Sequence, residues 1–225
     1  MAPAASTIKV PVLAAALREV ASGRRALDER IPVPAQRPGG SGVLQATPGI
    51  RDLSLADLLT LMIIVSDNTA TNIVIELIGM ERINAFCQET GLASTVVRRV
   101  MMDLDARSRG IENTTSALDQ ATLLEALAWG DVLNQDLRDF AIRSLTLQQF
   151  NDGLPALLPD DVVVAHKTGE LPGVRHDVGI LTGAGGRQAV IAVLTSGSTG
   201  PDDERAATTL IGALGEAAWL ELAGG

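Results

Sequence analysis

Residues 161–170 read DVVVAHKTGE. Three consecutive valines, Val162 to Val164, suit a pleated strand better than a helix, and Gly169 offers a place to turn. Two more β-rich runs follow, RHDVGILTG at 175–183 and RQAVIAVLTSG at 187–197, joined by short glycine-containing links. After them PDDERAATTLIGALGEAAWLELA (201–223) opens with proline and acids, the chemistry of a helix N-terminus. Upstream of 161 the texture is different, because apolar residues recur there at helical spacing. The order is therefore helices, a three-strand meander, then one closing helix. That order predicts an α+β fold, an antiparallel β-sheet packed with helices beside an all-helical part.

Moving back toward the start, helices are expected over 6–22, 54–65, 68–79, 80–91, 116–129 and 135–149. SLAD at 54–57 and SALD at 116–119 are capping-box variants, and two of the runs end at Gly79 and Gly91. IPVPAQRPGGSG (31–42) is a Pro/Gly loop. RRVMMDLDARSRGIEN (98–113) loses the periodicity and reads as a long functional loop. No internal repeat is visible. The whole of 1–225 is expected to act as one unit, with 20–155 mainly helical and 1–20 plus 156–225 supplying the first helix, the sheet and the closing helix.

Composition removes several classes of function. Apolar residues at 46% and charged residues at 20% suit a soluble globular chain long enough for a real core. A net charge of −9 without a basic cluster argues against nucleic acid and against an anionic membrane surface. No apolar run reaches the length of a membrane span. Cys87 is the one cysteine, so it has no internal disulfide partner and is expected to be a small core residue. His166 and His176 do not have zinc-site spacing, and no phosphate-binding glycine loop occurs, so neither metal nor cofactor is expected. No signal peptide is visible in this sequence.

Three short patterns carry chemistry. In AASTIKVP (4–11), Ser6 and Lys9 stand one helical turn apart on one face. A partly desolvated lysine there can take the serine's proton and make it a nucleophile, although the spacing alone arises by chance in a chain this long. Ser66-Asp67-Asn68 is either a helix junction with its cap, or a proton shuttle (Ser66) beside an amide donor (Asn68). Lys167-Thr168-Gly169 is either a strand end with a turn glycine, or a cation and a hydroxyl on a sheet edge with Gly169 admitting a substrate to the backbone.

Taken together, SxxK, SDN and KTG in this order resemble the signature of class A β-lactamases and penicillin-binding proteins. The likeness runs from residue 3 to about 222, and SDNTATN is especially similar, with Asn72 matching a second asparagine. The resemblance implies that Ser6 is acylated by a small-molecule β-lactam or peptide-like carbonyl, with Lys9 as its activating partner. It implies that Ser66 relays a proton to the leaving nitrogen and that Asn68 holds a side-chain amide. Lys167 and Thr168 would bind the substrate carboxylate, with Arg175 either a second anchor or a residue in a surface ion pair. The backbone N–H groups of Ser6 and Glu170 would form the oxyanion hole. The family works outside the cytoplasm, so a periplasmic or secreted protein is implied, or a cytoplasmic one if the start is genuine.

Two departures qualify the resemblance. The family's deacylating glutamate, in a Glu-x-x-x-Asn pattern, has no counterpart in 95–115. Matching the preceding arginine to Arg98 puts Asp103 in its place, either as a short substitute base or as a capping acid; Asp105 and Glu112 are weaker candidates. Slow deacylation is one expected consequence, and a peptidase-like, esterase-like or inactive relative is the alternative. The family's sheet also has five strands, whereas three are visible here and only five residues precede Ser6. An unpaired edge at RQAVIAVLTS then favours self-association.

Overall fold

The computed structural model describes residues 1–224. The chain starts with a two-residue strand, β1 (Ala2–Pro3), and a 3₁₀ turn over Ala5–Ile8 that runs directly into α1 (Lys9–Ala21). Every residue of α1 from Lys9 to Leu17 is buried, which makes it the central rod of the helical part. Short side chains at Ala14, Ala15 and Ala16 let other helices close on it from several sides.

Next come β2 (Arg30–Pro32) and β3 (Asp52–Ser54), which pair with each other. β3 leads into α2 (Leu55–Ile64), whose entry is a capping box: Ser54 Oγ accepts from Asp57 N, and the Asp57 carboxylate accepts from Ser54 N. α3 (Asn68–Ile78) and α4 (Met80–Glu89) are separated by Gly79 at φ +87°, a left-handed conformation that glycine adopts cheaply. A short helix, α5 (Leu104–Ser108), interrupts the 98–113 segment, which the sequence presented as continuous loop. β4 (Thr114–Thr115) pairs with β1, and α6 (Ala117–Trp129) and α7 (Gln135–Thr146) complete the helical part.

The main sheet holds β5 (Val163–Leu171), β6 (Val174–Thr182) and β7 (Gln188–Ser196), antiparallel in the order β5-β6-β7. The pleat sorts side chains by parity. Ala165, Val178, Ile180, Val190, Ala192 and Leu194 join the core shared with the helical part. Val164, Leu181, Ile191 and Val193 face the other way, toward the closing helix α8 (Pro201–Gly224), which packs on β6 and β7.

The three strands and the helices thus lie where the periodicity placed them, and the α+β architecture is as expected. The two ribbons, β1–β4 and β2–β3, were not expected from the sequence, because two or three residues are too few for a period of 2 to show. The β1–β4 ribbon places the chain start: Ala4 N donates to Asn113 O, which anchors the turn carrying Ser6 beside the 98–113 segment.

Candidate active site

Ser6 lies in the 3₁₀ turn, partly exposed, immediately after Ala5 at φ +47°. A left-handed alanine is strained, and such strain persists where surrounding structure over-determines it. Here the turn is held by Thr7, which donates to Ala4 O both from its backbone N–H and from its hydroxyl. Gly169 on β5 supports it from the side: a Cβ there would lie 3.2 Å from both Ser6 N and Ala5 Cβ. Gly169 therefore admits the Ser6 turn to the strand backbone; the sequence had suggested a substrate in that place.

Lys9 opens α1 and is completely buried. Its Nζ donates to Ser66 O at 2.8 Å and to Asn68 Oδ1 at 3.0 Å, and lies 2.9 Å from Ser66 Oγ. Burial, then the charge on Lys167, hold Lys9 well below the ordinary lysine range, opposed in part by Asp67. Two of the three partners, the Ser66 carbonyl and the Asn68 amide oxygen, can only accept. The Ser66 hydroxyl can accept from an ammonium or donate to a neutral amine, which gives Lys9 and Ser66 a route for one proton.

Ser66 itself is at φ +53°, a second non-glycine residue in the left-handed region, wedged between α2 and α3. Asp67 stabilises that junction. Its Oδ1 caps α3 at Ala70 N, and its Oδ2 accepts from Val43 N and Leu44 N at 2.7 and 2.8 Å. Gly42 has to be glycine, because a Cβ there would meet Asp67 Oδ2 at 2.3 Å. Asn68 donates its Nδ2 to Gly39 O and its backbone N–H to Ser41 O, so the Pro/Gly loop forms a wall of the site.

Lys167 is also completely buried, on the sheet face turned toward the helical part, and donates to Thr168 O at 2.9 Å. Desolvation lowers it to about 7, against the opposing fields of Asp177 and Glu170. Thr168, Glu170, Ser6 and Ser66 line one cavity with Ser41 and Phe150. A second cavity shares Ser6, Ser41 and Glu170 and extends over Asn68, Met101 and Glu112.

The remaining expected site residues are placed differently. Arg175 lies beside a separate hollow, with its guanidinium on Glu204 at 2.6 Å and on the carbonyls of Leu171 and Val174. Asp103 caps α5 through Ala106 N at 2.9 Å. Glu112 pairs with buried Arg99 at 2.5 Å. Asn72 uses its amide to bracket Met101, accepting from Met101 N at 2.7 Å and donating to Met101 O at 3.0 Å. Met101 thereby joins Glu112 and other residues of this segment in lining the nucleophile's cavity. Cys87 is buried, its thiol pushed up to about 12.

The model of the beta-lactamase enzyme family matches residues 1–222. The chain belongs to this family. A β-lactamase of Rhodobacter capsulatus is 34% identical over 136 residues, 59% of this chain and 46% of that protein. The chain thus spans about half the length of that relative. Among solved structures, a β-lactamase from Sphaerobacter thermophilus has a TM-score of 0.87 at 33% identity, covering 99% of this chain and 84% of that one. A variant of PBP-A, solved as an acyl-enzyme complex with penicillin G, has a TM-score of 0.86 at 32% identity, covering 97% and 81%. The fold of this chain is therefore that of the family's serine enzymes and of a penicillin-binding relative.

Proposed function

We propose that the chain is a class A-like serine hydrolase in which β-lactams acylate Ser6 and the ester clears slowly. The observation that carries this reading is the buried Lys9 ammonium or amine, one turn from Ser6 and hydrogen-bonded to Ser66 and Asn68. In the neutral form Lys9 is a base adjacent to the nucleophile. Ser6 Oγ loses its proton and bonds to the carbonyl carbon. The carbonyl–nitrogen bond breaks, and the nitrogen takes a proton from Ser66, which Lys9 restores. The N–H groups of Ser6 and Glu170 are assigned to the developing oxyanion. Lys167 and Thr168 are assigned to the substrate carboxylate, Gly169 to holding the Ser6 turn against β5, and Asn68 to an amide of the acyl group. Arg175 is not assigned to the carboxylate, because Glu204 already neutralises it.

Slow clearance follows from the acids. Asp103 is occupied as a cap and Glu112 by Arg99, while Met101 faces the cavity. Asp105 pairs with Arg109, so none of the three acids that the sequence offered in this segment is free to orient water. This also favours a second reading, a penicillin-binding peptidase or esterase that β-lactams inhibit. Mass spectrometry of the intact protein after mixing with a chromogenic cephalosporin separates the outcomes. A persistent adduct, absent in Ser6→Ala, is expected. Steady turnover without an adduct would overturn slow clearance, and no adduct from folded protein would overturn the nucleophile assignment. Residues 1–225 are read as one catalytic unit, and the edge of β7 as a site of self-association.

A further inference from the structure

His166 and Asp177 are both almost fully buried, on the sheet face turned away from Lys167. His166 Nδ1 lies 2.9 and 3.0 Å from the two carboxylate oxygens of Asp177. Its Nε2 lies 3.0 Å from Asn151 Oδ1. Asp177 Oδ2 accepts a further bond from Leu154 N at 2.8 Å. The pair therefore ties β5 and β6 to residues 151 and 154 of the connection between α7 and β5.

Two glycines make room for it. A Cβ on Gly153 would meet Asp177 Oδ2 at 2.4 Å, and one on Gly179 would meet His166 Cβ at 2.6 Å. Burying a charged carboxylate and an imidazole is costly unless both are fully partnered, and here every polar atom of the two side chains has a partner. The same connection carries residues to the cleft. Phe150 lines the cavity of Ser6, Ser66 and Thr168, and Asp152 lies with Glu170 beside the neighbouring hollow.

We infer that His166 and Asp177 are a positioning pair for the proposed active site, latching the 150–154 connection onto the strand that carries Lys167 and Thr168. The inference rests on the reading of Ser6 as nucleophile. The pair touches no substrate. It fixes Phe150 as a wall of the cavity and Thr168, which sits opposite Asp177 in the β5–β6 register, at the cleft edge. Asp177 also acts through the sheet, since its charge, with that of Glu170, favours the protonated form of Lys167, whose other charged neighbour is Lys9.

The test measures the second-order rate of Ser6 acylation by a fluorescent penicillin as a function of pH. Three variants are compared with the parent, with melting curves as the folding control. Asn151→Ala removes the outer contact; Asn151 is exposed, so this variant tests the latch even where the others fold poorly. His166→Asn keeps an N–H near the Nδ1 position but cannot reach Asn151. Asp177→Asn keeps the shape and removes the charge. Asn151→Ala and His166→Asn are expected to slow acylation about tenfold, the scale of a sub-ångström misplacement in a site of this kind. Asp177→Asn is expected to move the alkaline fall of the rate to lower pH, because Lys167 loses a field that favours its cation. Hydrogen exchange at the Leu154 amide, measured without substrate, is expected to quicken in Asp177→Asn and Asn151→Ala. Parental rates and an unmoved alkaline limb would overturn the inference, even with faster exchange at Leu154. If the parent is not acylated at all, the nucleophile reading fails, and the exchange result alone then decides whether the latch exists.

Discussion

Lys9 Nζ sits 2.9 Å from Ser66 Oγ, although 57 residues of sequence separate the two. Both side chains are withdrawn from water, so the proton between them is governed by burial and by Lys167 rather than by solvent. A lysine that must be neutral to act as a base gives a rate that rises with pH through its own pKa. Burial lowers that pKa, so the rising limb of acylation is expected well below the ordinary lysine range. Lys9→Met is expected to lower the acylation rate by about 10²–10⁴-fold, the usual contribution of a positioned base, and to abolish that limb. Stopped-flow acylation across the accessible pH range measures both.

Lys167 illustrates the opposite trade, function against stability. Its folded pKa of about 7 lies below the ordinary 10.5, so between these values the unfolded chain binds more protons than the folded one. Stability contributed at this position therefore rises with pH across that window, and the burial penalty is greatest below pH 7. Lys167→Met removes the penalty. The variant is expected to melt higher than the parent at and below neutral pH, with the difference shrinking as the pH climbs toward 10.5. Its affinity for carboxylate-bearing β-lactams is expected to fall at the same time. Paired melting curves at several pH values test the sign; a difference that grows with pH would contradict it.

The bracket that Asn72 places around Met101 gives a gain-of-function prediction. Both hydrogen bonds go to the Met101 backbone, so they survive a change of side chain. Met101→Glu puts a carboxylate into the cavity that Ser6 lines. Deacylation of the penicilloyl ester is expected to quicken by about 10²-fold, the lower end of what a positioned general base contributes. The measurement is the decay of the adduct by mass spectrometry. An unchanged lifetime would mean that Met101 does not face the ester.

Asp103 is expected to matter to the fold and not to the chemistry. It does not line the cavity of Ser6, and its carboxylate accepts from Ala106 N in the first turn of α5. Asp103→Ala is expected to cost about 1 kcal/mol of stability, the typical value of an N-cap, while leaving the adduct lifetime unchanged. Urea denaturation and adduct decay on the same sample separate the two roles.

The residues that were legible in the sequence share one property: their meaning is local. The helices and the three strands follow from periodicity, and Ser6, Lys9, Ser66, Asn68 and Lys167 lie in motifs of three or four residues. For Asp103 the sequence left two readings, substitute base and capping acid, because α5 is too short to show in the periodicity of 98–113. What was not legible depends on contacts between distant segments. Met101 reaches the cavity because Asn72, 29 residues earlier, brackets it. Arg175 meets Glu204 because α8 returns across the sheet, 29 residues later. The His166–Asp177 pair needs Gly153 from a third segment to exist at all. Sequence spacing carries no record of such closures.

β7 ends the main sheet on one side. It pairs with β6 along one side, and among the described residues no strand pairs with the other. Natural edges are commonly protected by lysine, proline or a bulge, and QAVIAVLTS has neither a charged residue nor a proline. Its residues from Ala189 to Thr195 are all partly exposed, and Leu210 and Leu214 of α8 are exposed as well. An antiparallel meeting of two β7 edges satisfies the open N–H and C=O groups of both copies under one two-fold axis. The net charge of −9 opposes that meeting, so added salt should strengthen it by screening. Ala189→Lys places a charge at the start of the edge, outside the main apolar rows. It is expected to weaken self-association about tenfold or more, equivalent to roughly 1.4 kcal/mol. Light scattering at rising concentration and salt reads this directly. A parent that stays monomeric under both conditions would show that the exposed edge does not attract a second copy.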